Sequence, residues 1–340
     1  MSKKTNKKHK SNKQIMNNIK FNECSNQEYY DFIHICQMTQ KQLKTFVYYK
    51  LKSYEYEPKK GDGWVFAEGK TPVLLTAHLD TVHKVQMYSY MEYENSKKEH
   101  ILTASDGIGG DDRCGVYMIL ELIRRGFRPS ILFCEDEEKG GIGSDKFIET
   151  ETAKKLAGLN YMIELDRANS KDAVFYECDN KDFTEYITSS TGYKEAYGSF
   201  SDISTLAPFA GIAAVNLSCG YYNAHTVYEE VNMEEMFHTI DVVGELLKSE
   251  NEDSKQFEYI PEVCSAISSY YGYDSYYGYD CGEWFEPDAT TELYIIYAEN
   301  NEEKEVLIEG CSESDAWTNF FMTYGDICYN DVLDYYVSRN

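Results

Sequence analysis

Between residues 26 and 250, short apolar runs alternate with longer stretches in which apolar positions recur every three or four residues. Residues 26–52 (NQEYYDFIHICQMTQKQLKTFVYYKLK) carry the helical period and predict one helix. GDGWVFAEG (61–69) reads as a hairpin signal ahead of a buried strand over 72–77. VQMYSYMEYEN (85–95) and EHILTA (99–104) predict strands on either side of a polar turn. RCGVYMILELIRRG (113–126) predicts an amphipathic helix ended by Gly126, and SILFCE (130–135) a buried strand. A helix over 143–158 follows, then strands over 159–166 and 173–178. A short helix over 201–209, a strand over 211–220 and a helix over 231–250 complete the region. Strands alternating with helices predict an α/β fold, a mostly parallel mixed sheet sandwiched by helices. Ligands gather beyond the carboxyl ends of such strands.

Beyond residue 250 the texture changes. NEDSKQ is polar, and YYGYDSYYGYD (270–280) is a near-duplicated unit rich in Tyr and Gly. ATTELYIIYAE and EKEVLIEG then predict a hairpin, and SDAWTNFFMTYG (314–325) and NDVLDYYVSRN (330–340) look helical, so a small carboxyl-terminal α+β domain is expected.

Composition narrows the function classes. No run of eighteen apolar residues is present, so no membrane span is expected. The first twenty residues carry seven Lys and no acid, with no apolar segment after them, which reads as a solvated tail and not a secretory signal. The whole chain of 340 residues has a net charge of −25, of which residues 251–340 supply −17. Such acidity argues against nucleic-acid binding, which needs a cationic face to displace counterions. Ten cysteines include no Cys-x-x-Cys pair, and a reducing cytoplasm fits them best.

The chemistry gathers where apolar runs end. LLTAHLDTVH (74–83) closes a core strand with His78 and Asp80, which period two puts on one side. Neutral His is a common metal ligand, and a carboxylate nearby can take its other ring proton. TASDGIGGDDRCGV (103–116) sets Asp111 and Asp112 at a glycine turn before a helix. ILFCEDEEKGGIGS (131–144) runs from a core strand into four acids, Glu135 to Glu138, and like charges so crowded call for a cation or a proton. YMIELDRA (161–168) ends a strand in Asp166, and LSCGYYNAHTVYEEV (217–231) follows another with His225. Together His78, Asp111, Glu138, Asp166 and His225 suit two zinc ions sharing one carboxylate, the donor set of a two-metal hydrolase.

The ordered set AHLDTVH, GGDDRCG, EDEEKGGIGS, ELD and GYYNAHT resembles the co-catalytic zinc exopeptidases, a superfamily of peptidase T, aminopeptidases, carboxypeptidase-like dipeptidases and aminoacylase-type deacylases. The resemblance covers about residues 60–250. It implies two Zn2+, with Co2+ or Mn2+ as substitutes. His78 and Asp166 would hold one ion, Glu138 and His225 the other, and Asp111 would bridge, with Asp112 outside the ligand set. Asp80 would orient His78, and Glu137 would be the general base. The SFSDIS stretch with Asp202, followed by GYYNAH, is similar to peptidase T. Asp202, Tyr221, Tyr222 and His83 are the candidates for substrate contact, Tyr221 or Tyr222 as a donor to the oxyanion. Only 59 positions separate Asp166 from His225, so the lid domain of several relatives has no room and a lidless core is expected.

The organisation implied is a basic disordered tail (1–22), a dizinc peptidase-like catalytic domain (23–250), an acidic Tyr/Gly-rich linker (251–290) and a small α+β domain (291–340). The function implied is hydrolysis of an amide bond in short peptides. N-acyl-amino-acid deacylation, or a non-catalytic interaction protein on the same core, stay open. Neither nucleic acid nor membrane is an expected partner, and the acidic carboxyl-terminal domain has no assigned one.

Overall fold

The computed structural model describes residues 27–251, 253–262, 291–299, 302–310 and 332–339. The chain divides into two compact units, Met1–Val263 and Cys264–Asn340. The first opens with helices α1 (Gln27–Cys36) and α2 (Gln40–Ser53), then strands β1 (Lys59–Gly61), β2 (Trp64–Ala67), β3 (Thr71–His78), β4 (Met91–Glu94) and β5 (His100–Thr103). Helix α3 (Gly110–Arg124), strand β6 (Pro129–Cys134) and a 3-10 turn (Glu137–Lys139) lead to α4 (Ile142–Ile148). Then come a second 3-10 segment (Ala153–Gly158), β7 (Tyr161–Arg167), β8 (Asp172–Val174), α5 (Lys181–Thr191), β9 (Lys194–Ala196), α6 (Asp202–Ala210), β10 (Ala214–Ser218), β11 (Tyr221–Tyr222), β12 (Glu230–Asn232) and α7 (Met233–Ser249).

Eight strands form the main sheet in the order β1-β2-β6-β3-β7-β10-β8-β9. Its centre, β6-β3-β7-β10, is parallel throughout, while β2 and β8 join it antiparallel. A second, antiparallel sheet has the order β11-β12-β5-β4. The fold is therefore the mixed, mostly parallel α/β sheet between helices that the pattern predicts.

Alternation along the central strands separates two cores. Val73, Leu75 and Ala77 on β3, Ile131 and Phe133 on β6, and Ile163 and Leu165 on β7 join one cluster with α1, α2, α3 and α7. Leu74, Leu132, Met162 and Ala214 point the other way, against Phe147 of α4 and Ile203 and Leu206 of α6. On this second face each strand turns polar toward its carboxyl end. Thr76, Glu164 and Asn216 are register partners one row up, and His78 and Asp166 lie a further period along. Phe147 is fully buried, 5.2 Å from the ring of Trp64 and 5.5 Å from that of Phe66. Phe147→Ala is expected to cost about 3–5 kcal/mol of stability, read by urea unfolding, because the site cannot collapse around the lost ring.

Several expected elements come out differently. The single helix over 26–52 is two, because Thr39 caps α2 in a capping box with Gln42 and ends the first run. The helix over 143–158 stops at Ile148 and resumes only as a 3-10 turn. In 85–95 only Met91–Glu94 is strand, and α5 and β12 are additions. Residues 253–262 fall on the linker by composition, yet they line the first unit. The Phe257 N–H donates to the Asn160 carbonyl at 2.9 Å, and Cys178 bridges Pro261. The buried Phe257 ring, among Phe183, Tyr161 and Tyr186, explains that attachment.

The second unit contains, among the described residues, an antiparallel sheet of β13 (Thr291–Glu299), β14 (Glu302–Gly310) and β15 (Val332–Arg339), in the order β14-β13-β15. The expected hairpin is β13–β14. The helix expected over 330–340 is instead β15: Val332, Tyr335, Tyr336 and Val337 are β-branched or aromatic and favour the extended chain. The expected tail (1–22), most of the linker (264–290) and the expected helix over 314–325 lie outside the described residues. No described helix is long and apolar enough to cross a membrane.

Candidate metal centre

The side chains converge because the parallel strands end together. β3 finishes at His78, β7 delivers Asp166, and β6 runs out at Cys134 into the acidic turn. The four acids of that turn separate. Glu135 pairs outward with Lys44, and Asp136 with Lys139 at 2.8 Å. Glu137 and Glu138 turn inward on the 3-10 turn. Gly141, at φ +72, closes this loop against Phe200, where an added Cβ would lie 2.7 Å from the ring. Asp111 and Asp112 open α3 with non-helical backbone and a cis peptide between them. Here α3 approaches β7 so closely that only Gly fits at 115: an added Cβ would fall 2.0 Å from the Leu165 carbonyl oxygen.

Asp111 lies between the two imidazoles. Its Oδ1 is 3.0 Å from His78 Nε2 and its Oδ2 is 3.1 Å from His225 Nε2. On one side His78 Nε2 lies 3.5 Å from Asp166 Oδ1, and on the other His225 Nε2 lies 3.1 Å from Glu138 Oε1. Glu137 Oε2 stands 4.0 Å from His78 Nε2. Asp80 lies behind this ring: its Oδ1 is 3.3 Å from His78 Nδ1, and its two oxygens accept the N–H groups of Glu137 at 3.1 Å and Glu138 at 3.2 Å. His78, Asp80 and Asp111 are buried, Glu137, Glu138 and Asp166 are partly buried, and His225 is half exposed and forms the open edge.

Charge on so many closely set carboxylates is costly unless each is partnered. Burial, with Asp166 adding and His78 opposing, pushes Glu137 far above the usual carboxylate range. Burial and the neighbouring Asp111 push Asp166 up. Burial works against charge on His78, but Asp166, Asp111 and Asp80 outweigh it and hold its pKa well above that of free imidazole. Hydrogen bonding to Asp111 and Glu138 lifts His225 to about 11. For Asp111, burial is outweighed by His225 and His78, and its carboxyl stays low. The donors of the set, imidazole nitrogen and carboxylate oxygen, are those of divalent transition metals. Among the described residues two triads have donor atoms within 4.8 Å of one another, His78 with Asp111 and Glu138, and His78 with Asp112 and Asp166.

Asp112 is fully buried, its oxygens accepting the N–H groups of His78 at 3.0 Å and Gly115 at 2.9 Å. Tyr221 reaches the cluster, its hydroxyl donating to Asp166 Oδ1 at 3.3 Å. Tyr222 does not: its hydroxyl is drawn to Glu235 of α7 at 2.5 Å. Asp202 is closed to solvent at the start of α6. His83 Nε2 lies 2.7 Å from Glu229 Oε2. Two buried acids beside the cluster escaped the sequence reading. Glu164 accepts from the Ser201 hydroxyl at 2.5 Å beneath Asp166, and Glu229 accepts from the turn that carries Asp111. Glu164 sits two residues before Asp166, so strand period alone could have placed it on the same face.

Residues 64–203 match the sequence profile of peptidase family M28. No curated protein matches the chain. Solved structures that share the fold include the following three. An aminopeptidase PepT from Bacillus cereus is 14% identical, with 65% of this chain and 97% of that one covered at a TM-score of 0.53. A tripeptidase from Staphylococcus aureus is 13% identical, with 65% and 97% covered at a TM-score of 0.52. A TET aminopeptidase from a marine-sediment Thaumarchaeota archaeon is 11% identical, with 66% and 97% covered at a TM-score of 0.50.

Proposed function

We propose, from the premise that this chain is a metallopeptidase of the zinc exopeptidase superfamily, that it is a dizinc aminopeptidase acting on short peptides. The observation that carries this reading is the position of Asp111, one carboxylate oxygen facing His78 and the other facing His225. His78 and Asp166 would hold one ion, Glu138 and His225 the other, with Asp111 common to both. When bound, the pair supplies Lewis acidity toward water and toward the substrate carbonyl. Asp80 fixes the His78 ring and, through the same carboxylate, the backbone of the Glu137–Glu138 turn. Glu137 is thereby kept at the cluster with a side chain assigned to neither ion. As a carboxylate it takes a proton from the attacking water at Oε2 and returns it to the leaving nitrogen. Half-exposed His225 leaves that edge of the cluster open to solvent. The names of the structural neighbours, aminopeptidase and tripeptidase, support a free amino terminus and a few residues as substrate. Among the described residues the buried free thiols Cys36, Cys114, Cys134, Cys178 and Cys219 support a reducing compartment such as the cytoplasm.

The test uses full-length protein purified without added metal. Metal analysis is expected to give close to two equivalents of zinc. Aminoacyl amides and di- and tripeptides are expected to be cleaved, and a chelator to abolish cleavage. Turnover of N-acyl amino acids alone would make it a deacylase. A metal-loaded chain inert on the whole panel would overturn the reading in favour of an interaction protein.

A further inference from the structure

Glu229 is fully buried and opens no helix or strand. Its two oxygens meet the glycine turn that carries Asp111. Oε2 accepts the Gly109 N–H at 2.7 Å, and Oε1 accepts the Asp111 N–H at 3.0 Å. Oε2 also lies 2.7 Å from His83 Nε2. These amides stand at the amino end of α3, where no intrahelical carbonyl can reach them. The backbone there departs from the helix, with Gly109 at φ +72 and Asp111 at φ −83, ψ 102, so the amides point out of the helix for an acceptor. A buried carboxylate receiving N–H groups makes stronger bonds than a neutral acceptor. Its own place is fixed by the second sheet. The Thr103 hydroxyl donates to the Glu229 carbonyl at 2.8 Å, and the next residue begins β12, paired with β5.

The same short loop carries His225, four residues before Glu229. His225 meets the Asp111 side chain at Oδ2, and Glu229 meets the Asp111 backbone. One loop therefore grips one aspartate from both ends. We propose that Glu229 is a positioning residue for the metal centre, holding the Gly109–Asp111 turn so that the Asp111 carboxylate faces both imidazoles at once. This rests on the reading of Asp111 as the shared ligand. A glutamine at 229 keeps one acceptor oxygen and turns an NH2 group toward the other N–H donor, so one of the two backbone bonds becomes a repulsion. Because the shared ligand shifts, both ions are affected, and a partner of this kind is worth about 10–100-fold in metal affinity.

The experiment measures zinc dissociation constants of the full chain by competition with a chromophoric chelator, well below the melting temperature of each variant. Wild type, Glu229→Gln and Glu229→Asp are compared, and their cobalt-substituted forms give visible spectra. Both variants are expected to bind both ions about 10–100-fold more weakly than wild type, with an altered cobalt spectrum, while metal-free circular dichroism stays that of wild type. Glu229→Asp keeps the charge and shortens the reach by one methylene, so it serves if the glutamine variant does not fold. A role in stability alone would lower the metal-free melting temperature and leave the dissociation constants of folded protein within twofold of wild type, and that result overturns the proposal. Weakening of a single ion also overturns it, since the effect would then run through His225 alone. A wild-type chain that binds no zinc would end the reading of the whole centre, whereas tight wild-type binding with unchanged variants ends this inference only.

Discussion

Glu137→Gln is expected to keep both metal ions and to lose about 10²–10⁴-fold in kcat, the range a general base contributes. The geometry separates these two effects. Its backbone N–H is held by Asp80 and its side chain stands 4.0 Å from His78 Nε2, at the ring without completing it. An amide of the same shape fills the same space and leaves Asp111, Glu138, Asp166, His78 and His225 untouched. What it loses is the capacity to take and return a proton at Oε2. The loss should therefore appear in kcat and in kcat/KM alike, with KM little changed, as for an interaction made only in the transition state. Steady-state kinetics on the best peptide of the panel, beside metal analysis of the same preparation, reads both numbers. A variant with two ions and more than a tenth of wild-type kcat would show that the proton travels by another group.

The central sheet was legible because its residues obey two rules at once. Ile131, Leu132 and Phe133 form an unbroken apolar run, as a strand buried on both faces must, and the run stops where charge begins. His78 and Asp166 were legible for the same reason, as charged residues at the carboxyl ends of such runs. Their convergence followed from the parallel order, which sets the ends side by side. What escaped depends on contacts between segments far apart in sequence. Glu229 stands beside Glu230 in a plain YEEV stretch, and nothing local tells the buried acid from the one on the second sheet. Only the turn at Gly109, 120 positions earlier, distinguishes them. Tyr221 and Tyr222 are adjacent and on opposite faces of a strand, so period two allowed one at the cluster without saying which. Asp202 carries the residue type for a substrate contact, but its burial is set by the packing of α6 on the second core. The break at Thr39 was local and readable, since Thr-x-x-Gln is a capping box, but the helical period on both sides concealed it.

Asp111→Ala is expected to bind neither ion tightly, while His225→Ala keeps about one equivalent of zinc. The difference follows from position. His225 is half exposed at one end of the ring and meets only Asp111 and Glu138, so its loss leaves His78, Asp166 and Asp111 together. Asp111 stands between the two halves, and without it each half keeps one imidazole and one carboxylate. The consequence reaches stability, because anything that binds only the folded chain stabilises it. With zinc at 100 times its dissociation constant each site adds about 2.7 kcal/mol, or roughly 5–10 °C of melting temperature for a unit of this size. Adding a chelator should therefore cost wild type about twice what it costs His225→Ala, and Asp111→Ala almost nothing. Acid acts in the chelator's direction, since imidazole and carboxylate bind metal only when deprotonated. Thermal melts with and without chelator, on protein whose zinc content has been measured, give the three numbers. Equal shifts for Asp111→Ala and His225→Ala would mean that the two ions, if both bind, share no ligand at Asp111.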